Sequence, residues 1–153
     1  MHRTIISDTS CLIVLTNISE LDLLQKVYGR ITTTIEIVTE YGEPLPDWVE
    51  IESVKDNYRQ QLLEMQVDTG EASAIALALE TPDSTIIIDD YRARKIAQKL
   101  KLNYTGTIGV IVKAKLKGII PSVKPILAKI KQTDFRLGID VEMQALKEAD
   151  EAE

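Results

Sequence analysis

Ile86-Ile87-Ile88-Asp89-Asp90 is the stretch whose reading decides the fold. Three β-branched residues in succession predict a strand buried on both faces, the habit of a central strand in a parallel sheet. Tyr91-Arg92-Ala93-Arg94-Lys95-Ile96-Ala97 follows with helical spacing. The two aspartates therefore fall where a parallel strand hands over to a helix, the edge at which open α/β sheets place their sites. Thr4-Ile5-Ile6-Ser7 runs into Asp8 in the same manner. Two central strands that each deliver a carboxylate to one edge point to a metal site.

Working outward, residues 3–7 predict a first strand, and Asp8-Thr9-Ser10 opens a helix. Ser19 is expected to N-cap a second helix that stops at Gly29. A short strand is expected at 31–33. A helix at 35–41 follows, broken by Gly42-Glu43-Pro44-Leu45-Pro46. Residues 48–54 alternate as a strand, and 56–66 form a polar amphipathic helix. Asp68-Thr69-Gly70 reads as a turn before an alanine-rich helix over 71–80. The strand at 85–89 leads to a helix at 91–101, a strand at 102–105 and a helix at 107–117 closed by Gly118. Pro121 is placed in the first turn of the next helix, and 140–150 form a final acidic helix. Strands alternating with helices predict one α/β domain over residues 1–153, its parallel sheet covered on both faces.

Composition agrees with that class. The 153 residues are 44% hydrophobic and 27% charged, ordinary for a globular domain. No apolar run approaches the ~20 residues of a membrane span, and no signal peptide precedes the first strand. The single cysteine, Cys11, lies in an apolar run and reads as core. A reducing, cytoplasmic setting and no membrane partner are expected. The net charge of −6 conceals a segregation: residues 1–90 carry 17 acids against 5 bases, whereas 91–136 carry 12 bases and only Asp134. A basic block of this kind suits a polyanion, although each lysine alone could be a solvated helix face.

Four places offer carboxylates to a common edge: Asp8, Glu40 late in the third helix, Glu71 at a helix start, and the pair Asp89 and Asp90. All-oxygen donors suit a hard cation such as Mg²⁺ or Mn²⁺. Clustered carboxylates raise one another's pKa, and a cation removes that repulsion. Each acid also has a plain structural reading. Asp8 and Asp90 stand where N-caps belong, Glu71 follows Asp68 at capping-box spacing, and Glu40 could be an exposed helix glutamate. Competing chemistries fit less well. His2 is the only histidine, zinc-ligand spacings and phosphate-cradling glycine loops are absent, and Ser10 stands where an aspartyl phosphatase needs its second aspartate.

Asp8-Thr9-Ser10, Gly70-Glu71-Ala72-Ser73-Ala74-Ile75-Ala76, Ile88-Asp89-Asp90-Tyr91-Arg92-Ala93-Arg94 and Thr105-Gly106-Thr107-Ile108-Gly109-Val110, in this order, resemble the PIN (PilT N-terminus) domain. The resemblance covers nearly the whole chain and is nearest a prokaryotic branch related to VapC toxins. It implies a three-layer α/β/α sandwich with a central parallel sheet. It further implies a Mg²⁺- or Mn²⁺-dependent ribonuclease whose acids are Asp8, Glu40, Glu71 and Asp90 in turn, with Asp89 beside the last. Asp8, Glu71, Asp89 and Asp90 are the implied metal ligands. A cognate antitoxin and a homodimer are the implied protein partners. Glu71 departs from the commoner aspartate, and Ile88 stands where many relatives carry a small hydroxyl residue.

The leading expectation is thus an endoribonuclease acting on RNA. Arg92, Lys95 and Lys99 share a helix face and, with Lys113 and Lys117, would guide the phosphate backbone. Thr105 and Thr107 would touch substrate or water. The alternatives are a non-catalytic module that binds RNA or a protein partner on the same fold, and a metal-dependent phosphatase of small phosphoesters.

Overall fold

The computed structural model describes residues 3–152, so His2 lies outside the described residues. The elements run β1 (Thr4–Ser7), α1 (Thr9–Asn17), α2 (Asp22–Tyr28), β2 (Ile31–Thr33), α3 (Ile35–Tyr41), β3 (Val49–Ile51) and α4 (Asn57–Glu64). They continue with α5 (Thr69–Glu80), β4 (Ser84–Ile87), α6 (Tyr91–Lys99), β5 (Asn103–Thr105), α7 (Thr107–Leu116), α8 (Lys124–Lys131) and α9 (Ile139–Glu148). The five strands form one all-parallel sheet in the order β3-β2-β1-β4-β5, and helices cover it as a three-layer α/β/α sandwich.

The strand order places the site. From β1 the chain steps to β2 and β3 on one side, whereas β4 pairs with the other side of β1 and leads to β5. The order reverses between β1 and β4, and ligand crevices of open α/β sheets lie at such a reversal, beyond the carboxyl ends of the strands. The β1–β4 register pairs Ser7 with Ile87, so Asp8 and Ile88 leave the sheet side by side. Ile5, Ile6, Ile86, Ile87 and Ile88 are all buried, each contributing roughly 1.5–3 kcal/mol of burial. The helix α5 packs on β1 and β4. Its Ala72, Ala74, Ala76 and Ala78 are all buried, and such short side chains let the helix lie close to its neighbours.

Several local expectations are corrected. Ser19 does not N-cap α2, whose first turn begins at Leu21 without a side-chain cap. It has φ 60° and closes α1 instead, its amide donating to Thr16 O and the Glu20 amide to Leu15 O. This is a Schellman closure with serine in the position glycine usually takes. Asp68-Thr69-Gly70 is no free turn: Asp68 caps α5, and Thr69 and Gly70 are its first residues. Pro121 precedes α8, and Pro125 occupies the first turn. β4 ends at Ile87 and β3 spans only Val49–Ile51. The crossovers β1–β2 and β3–β4 each carry two helices, as the helical spacing before Gly29 and over 56–80 predicts.

Candidate functional site

Asp8 is the pivot of the sheet edge. It is 1% exposed. Its Oδ1 accepts from the Cys11 amide at 2.9 Å, which N-caps α1, and its Oδ2 accepts from the Asp89 amide at 3.1 Å. One carboxylate thereby ties the end of β1 to the segment beyond β4. Burial pushes its pKa well above the usual carboxylate range, and the charges of Asp89 and Glu71 push the same way. The two amide hydrogen bonds oppose the shift without cancelling it.

Asp89 is held as firmly. Its Oδ1 accepts from the Thr107 amide at 2.7 Å, and its Oδ2 accepts from the hydroxyls of Thr107 at 2.5 Å and Ser10 at 3.0 Å. The first turn of α7 thus points amide and hydroxyl at a carboxylate, the favourable sign for a helix N-terminus. Gly106 makes this approach possible: a Cβ there would sit 3.0 Å from Asp89 Oδ1.

Asp90 and Glu71 form a more open group. Asp90 caps α6, its Oδ2 accepting from the Ala93 amide at 3.0 Å, and is exposed. Glu71 stands in the first turn of α5, where its amide donates to Asp68 Oδ1 at 2.9 Å. Burial, then the charges of Asp68 and Asp90, push the Glu71 carboxyl up to about 7. Asp68, Glu71, Asp90 and Arg92 line a cavity of about 620 Å³.

Glu40 joins from α3. Its Oε1 accepts from the Thr9 hydroxyl at 2.6 Å, and its carboxylate lies directly against Gly70, where a Cβ would come within 1.9 Å of Oε1. Gly70 is therefore a close-approach glycine, not a turn glycine. Thr9 and Ser10 distribute their hydroxyls to two acids, Glu40 and Asp89. They and Asp68 belong to the constellation although sequence reasoning did not assign them. The adjacency of Thr9 and Ser10 to the strand-end Asp8 was the available signal.

The basic residues divide. Arg92 reaches the Glu71–Asp90 cavity and donates to Gln66 O at 3.2 Å. Lys95 stands 5.1 Å over the Tyr91 ring, and Lys99 is exposed in the last turn of α6. Lys113 and Lys117 are not among the residues around the acids: they line a separate cavity with Arg3. Arg94 was not singled out, yet it stacks on Tyr104 at 5.2 Å and, with Asp89 and Arg136, lines a cleft of about 520 Å³. Thr107 binds Asp89 directly, whereas Thr105 Oγ1 turns toward Gly109. Cys11 is fully buried and its thiol is pushed up by burial, which suits a core residue and not a nucleophile.

Among the described residues no three His, Cys, Asp or Glu side chains form a ready-made metal cage. The donor set nevertheless fits a hard divalent cation in kind. Every candidate ligand is a carboxylate, and the charge of Asp89 adds to the cost of ionising Asp8, as those of Asp68 and Asp90 add to that of Glu71. Mg²⁺ commonly keeps several waters beside one or two carboxylates, so a three-donor cage is not a requirement.

A family model described as a PIN domain matches residues 4–151. Comparison with curated proteins gave no match, and neither did comparison with solved structures.

Proposed function

The chain belongs to the PIN-domain family, and from that premise we propose that it is a metal-dependent endoribonuclease. PIN domains are generally nucleases and generally use divalent metal ions. The observation that carries the reading is the junction across the strand-order reversal, where Asp8 accepts from the Asp89 amide and feels the charge of Glu71, which in turn feels that of Asp90. Asp8, Glu71 and Asp90 would hold Mg²⁺ or Mn²⁺ directly or through water, with Asp89 beside them. When bound, such an ion lowers the pKa of a water and offsets charge on a scissile phosphate.

The chain's own groups divide the remaining work. Asp8 ties the end of β1 to the segment beyond β4 through the Asp89 amide. Ser10 and Thr107 orient the Asp89 carboxylate. Glu40, tied to Thr9 over Gly70, orients the attacking water. Arg92, Lys95 and Lys99 meet backbone phosphates on one side, and Arg94 and Arg136 line the cleft that opens from Asp89 on the other. Such contacts bind RNA without reading its sequence and weaken with salt.

The test is hydrolysis of single-stranded RNA by the purified chain with Mg²⁺ or Mn²⁺. Activity is expected to disappear with a chelator and to fall about 10²-fold or more in Asp90→Asn. Unchanged metal-dependent cleavage in both Asp8→Asn and Asp90→Asn would remove the assignment.

A second reading, a non-catalytic module that binds RNA or a protein partner, is favoured by the structural uses of the acids. Asp8, Asp68 and Asp90 all cap helices, and no three-donor cage is present among the described residues. It requires RNA binding that survives Asp8→Asn and Asp90→Asn with no cleavage by the parent chain. Turnover of a chromogenic phosphoester but not RNA would instead mark a phosphatase. The VapC-related reading adds a homodimer and an inhibitory antitoxin, tested by solution mass and by co-purification with the product of an adjacent small reading frame.

A further inference from the structure

The basic block is not one surface. Lys115, Lys129 and Lys131 are each paired with a carboxylate, of Glu151, Glu20 and Glu142 in turn. Lys113 and Lys117 have no carboxylate partner among the described residues. Lys113 stands 5.1 Å over the Tyr28 ring, and Lys117 donates to Val27 O at 2.9 Å, a carbonyl in the last turn of α2. One turn apart, Lys113 in the last turn of α7 and Lys117 at its C-cap share a face. They meet Arg3, at the start of β1, around a cavity of about 390 Å³ completed by Tyr28, Thr85 and Thr105. No acid lines this cavity. The nearest compensation is Asp83, 3.3 Å from Arg3 at the outer edge, while the other arm of that guanidinium donates to Thr85 Oγ1 at 3.0 Å.

Three cations held around one hollow repel each other, and a multiply charged anion would relieve that repulsion. The donors present are two ammonium groups, a planar guanidinium and two threonine hydroxyls, a set that matches the three acceptor oxygens of a phosphate. Tyr28 adds an aromatic wall. The cavity falls within the size range of small-molecule sites, larger than a bare phosphate needs. It runs from Arg3 and Thr85, near the amino ends of β1 and β4, to Thr105 and Gly109, which also border the Asp89 cleft. The acids lie beyond the carboxyl ends of β1 and β4, outside its lining.

We propose that Arg3, Lys113 and Lys117 with Tyr28 form a second site, separate from the carboxylate edge, that binds the phosphate of a nucleotide. The ligand is a nucleoside monophosphate or the phosphorylated end of an RNA strand, which present the same group. The proposal does not depend on the nuclease reading.

Calorimetric titration of the full chain in EDTA, so that no cleavage intervenes, tests it. The probes are adenosine 5′-monophosphate, adenosine, and one short oligoribonucleotide with either a 5′-phosphate or a 5′-hydroxyl. Adenosine 5′-monophosphate is expected to bind at least tenfold more tightly than adenosine. Lys113→Gln and the pair Lys113→Gln with Lys117→Gln should weaken that binding progressively, to a tenfold loss or more in the pair, with thermal unfolding confirming the fold. Asp90→Asn should leave it unchanged, which separates this site from the acidic one. A 5′-phosphorylated strand that outbinds both its 5′-hydroxyl form and the mononucleotide identifies an RNA end as the source; the reverse order identifies a free nucleotide. Equal binding of adenosine 5′-monophosphate and adenosine, no binding of either, or undiminished binding by the folded double variant would overturn the proposal.

Discussion

Asp8 with Asp89, and Glu71 with Asp90, are two carboxylate pairs on one sheet edge, built in opposite ways. In the first pair every oxygen accepts at least one hydrogen bond from the chain. In the second, Asp90 gives one oxygen to a helix cap, and Glu71 meets mainly other acids in an open cavity. The first pair is architecture that carries charge. The second is charge set on architecture. Substitutions in the first should therefore cost stability as well as activity. In the second, substitution of Asp90 should cost no more stability than its single cap bond, and substitution of Glu71 activity alone.

The sharpest test of that contrast is Asp8→Ala. It strips acceptors from the buried Cys11 and Asp89 amides and removes the cap of α1. A loss of about 2 kcal/mol is expected, lowering Tm by roughly 4–8 °C in a chain of this size. A Tm unchanged within a degree would show that the pair is not architecture. Thr107→Val is the milder probe. It removes the hydroxyl bonded to Asp89 Oδ2 but keeps the amide bond to Oδ1, and should cost about 1 kcal/mol and roughly 10–100-fold in metal affinity or RNA cleavage.

Gly70→Ala probes the seam between the pairs. Alanine favours a helix by about 1 kcal/mol over glycine, but its Cβ would force the Glu40 carboxylate aside. Chemical denaturation should show little net change, while RNA cleavage falls. Cleavage at the parent rate would release Glu40 from its assigned part.

The smallest expected effect is the pH dependence of Glu71. Its carboxyl titrates near about 7 in the folded chain against an ordinary 4.5, so the folded state binds the proton more tightly than the unfolded one. Stability from this group is therefore lost as pH rises from about 4.5 to about 7. Glu71→Gln should flatten that part of the Tm–pH curve without lowering Tm above pH 7. Mn²⁺ should raise the Tm of the parent chain more at pH 8 than at pH 5, because ligand carboxylates must be ionised. Equal shifts at both pH values would speak against carboxylate ligation.

Much of this edge was legible beforehand because it rests on local patterns. Runs such as Ile86-Ile87-Ile88 are long enough to announce a buried strand, and an acid that follows such a run lies at the strand's end whatever else the chain does. The misreadings are of residue types whose chemistry fits more than one role. Ser19 has the chemistry of an N-cap, yet its φ of 60° belongs to the closure of α1. Gly70 has the chemistry of a turn, yet its lack of a side chain serves Glu40, thirty residues earlier. For Ser19 the deciding bonds are local but belong to the helix before it, and for Gly70 the deciding neighbour is distant in sequence. The basic block shows the same limit. Arg92, Lys95 and Lys99 follow from helical spacing, but the separation of Lys113 and Lys117 into a cavity with Arg3 depends on where α7 crosses the sheet.

The sequence by itself determined that parallel strands alternate with helices and that Asp8, Asp89 and Asp90 follow β1 and β4. These properties come from side-chain period and from the order of residues along the chain. The tertiary structure decided which acid does what. Strand order brought Asp8 to the Asp89 amide, close packing at Gly70 admitted Glu40, and α7 turned Thr107 toward Asp89. Those roles depend on distances of about 3 Å between groups up to eighty-one residues apart. Only a folded chain sets such distances, because pairing across the sheet is long-range while propensity is local.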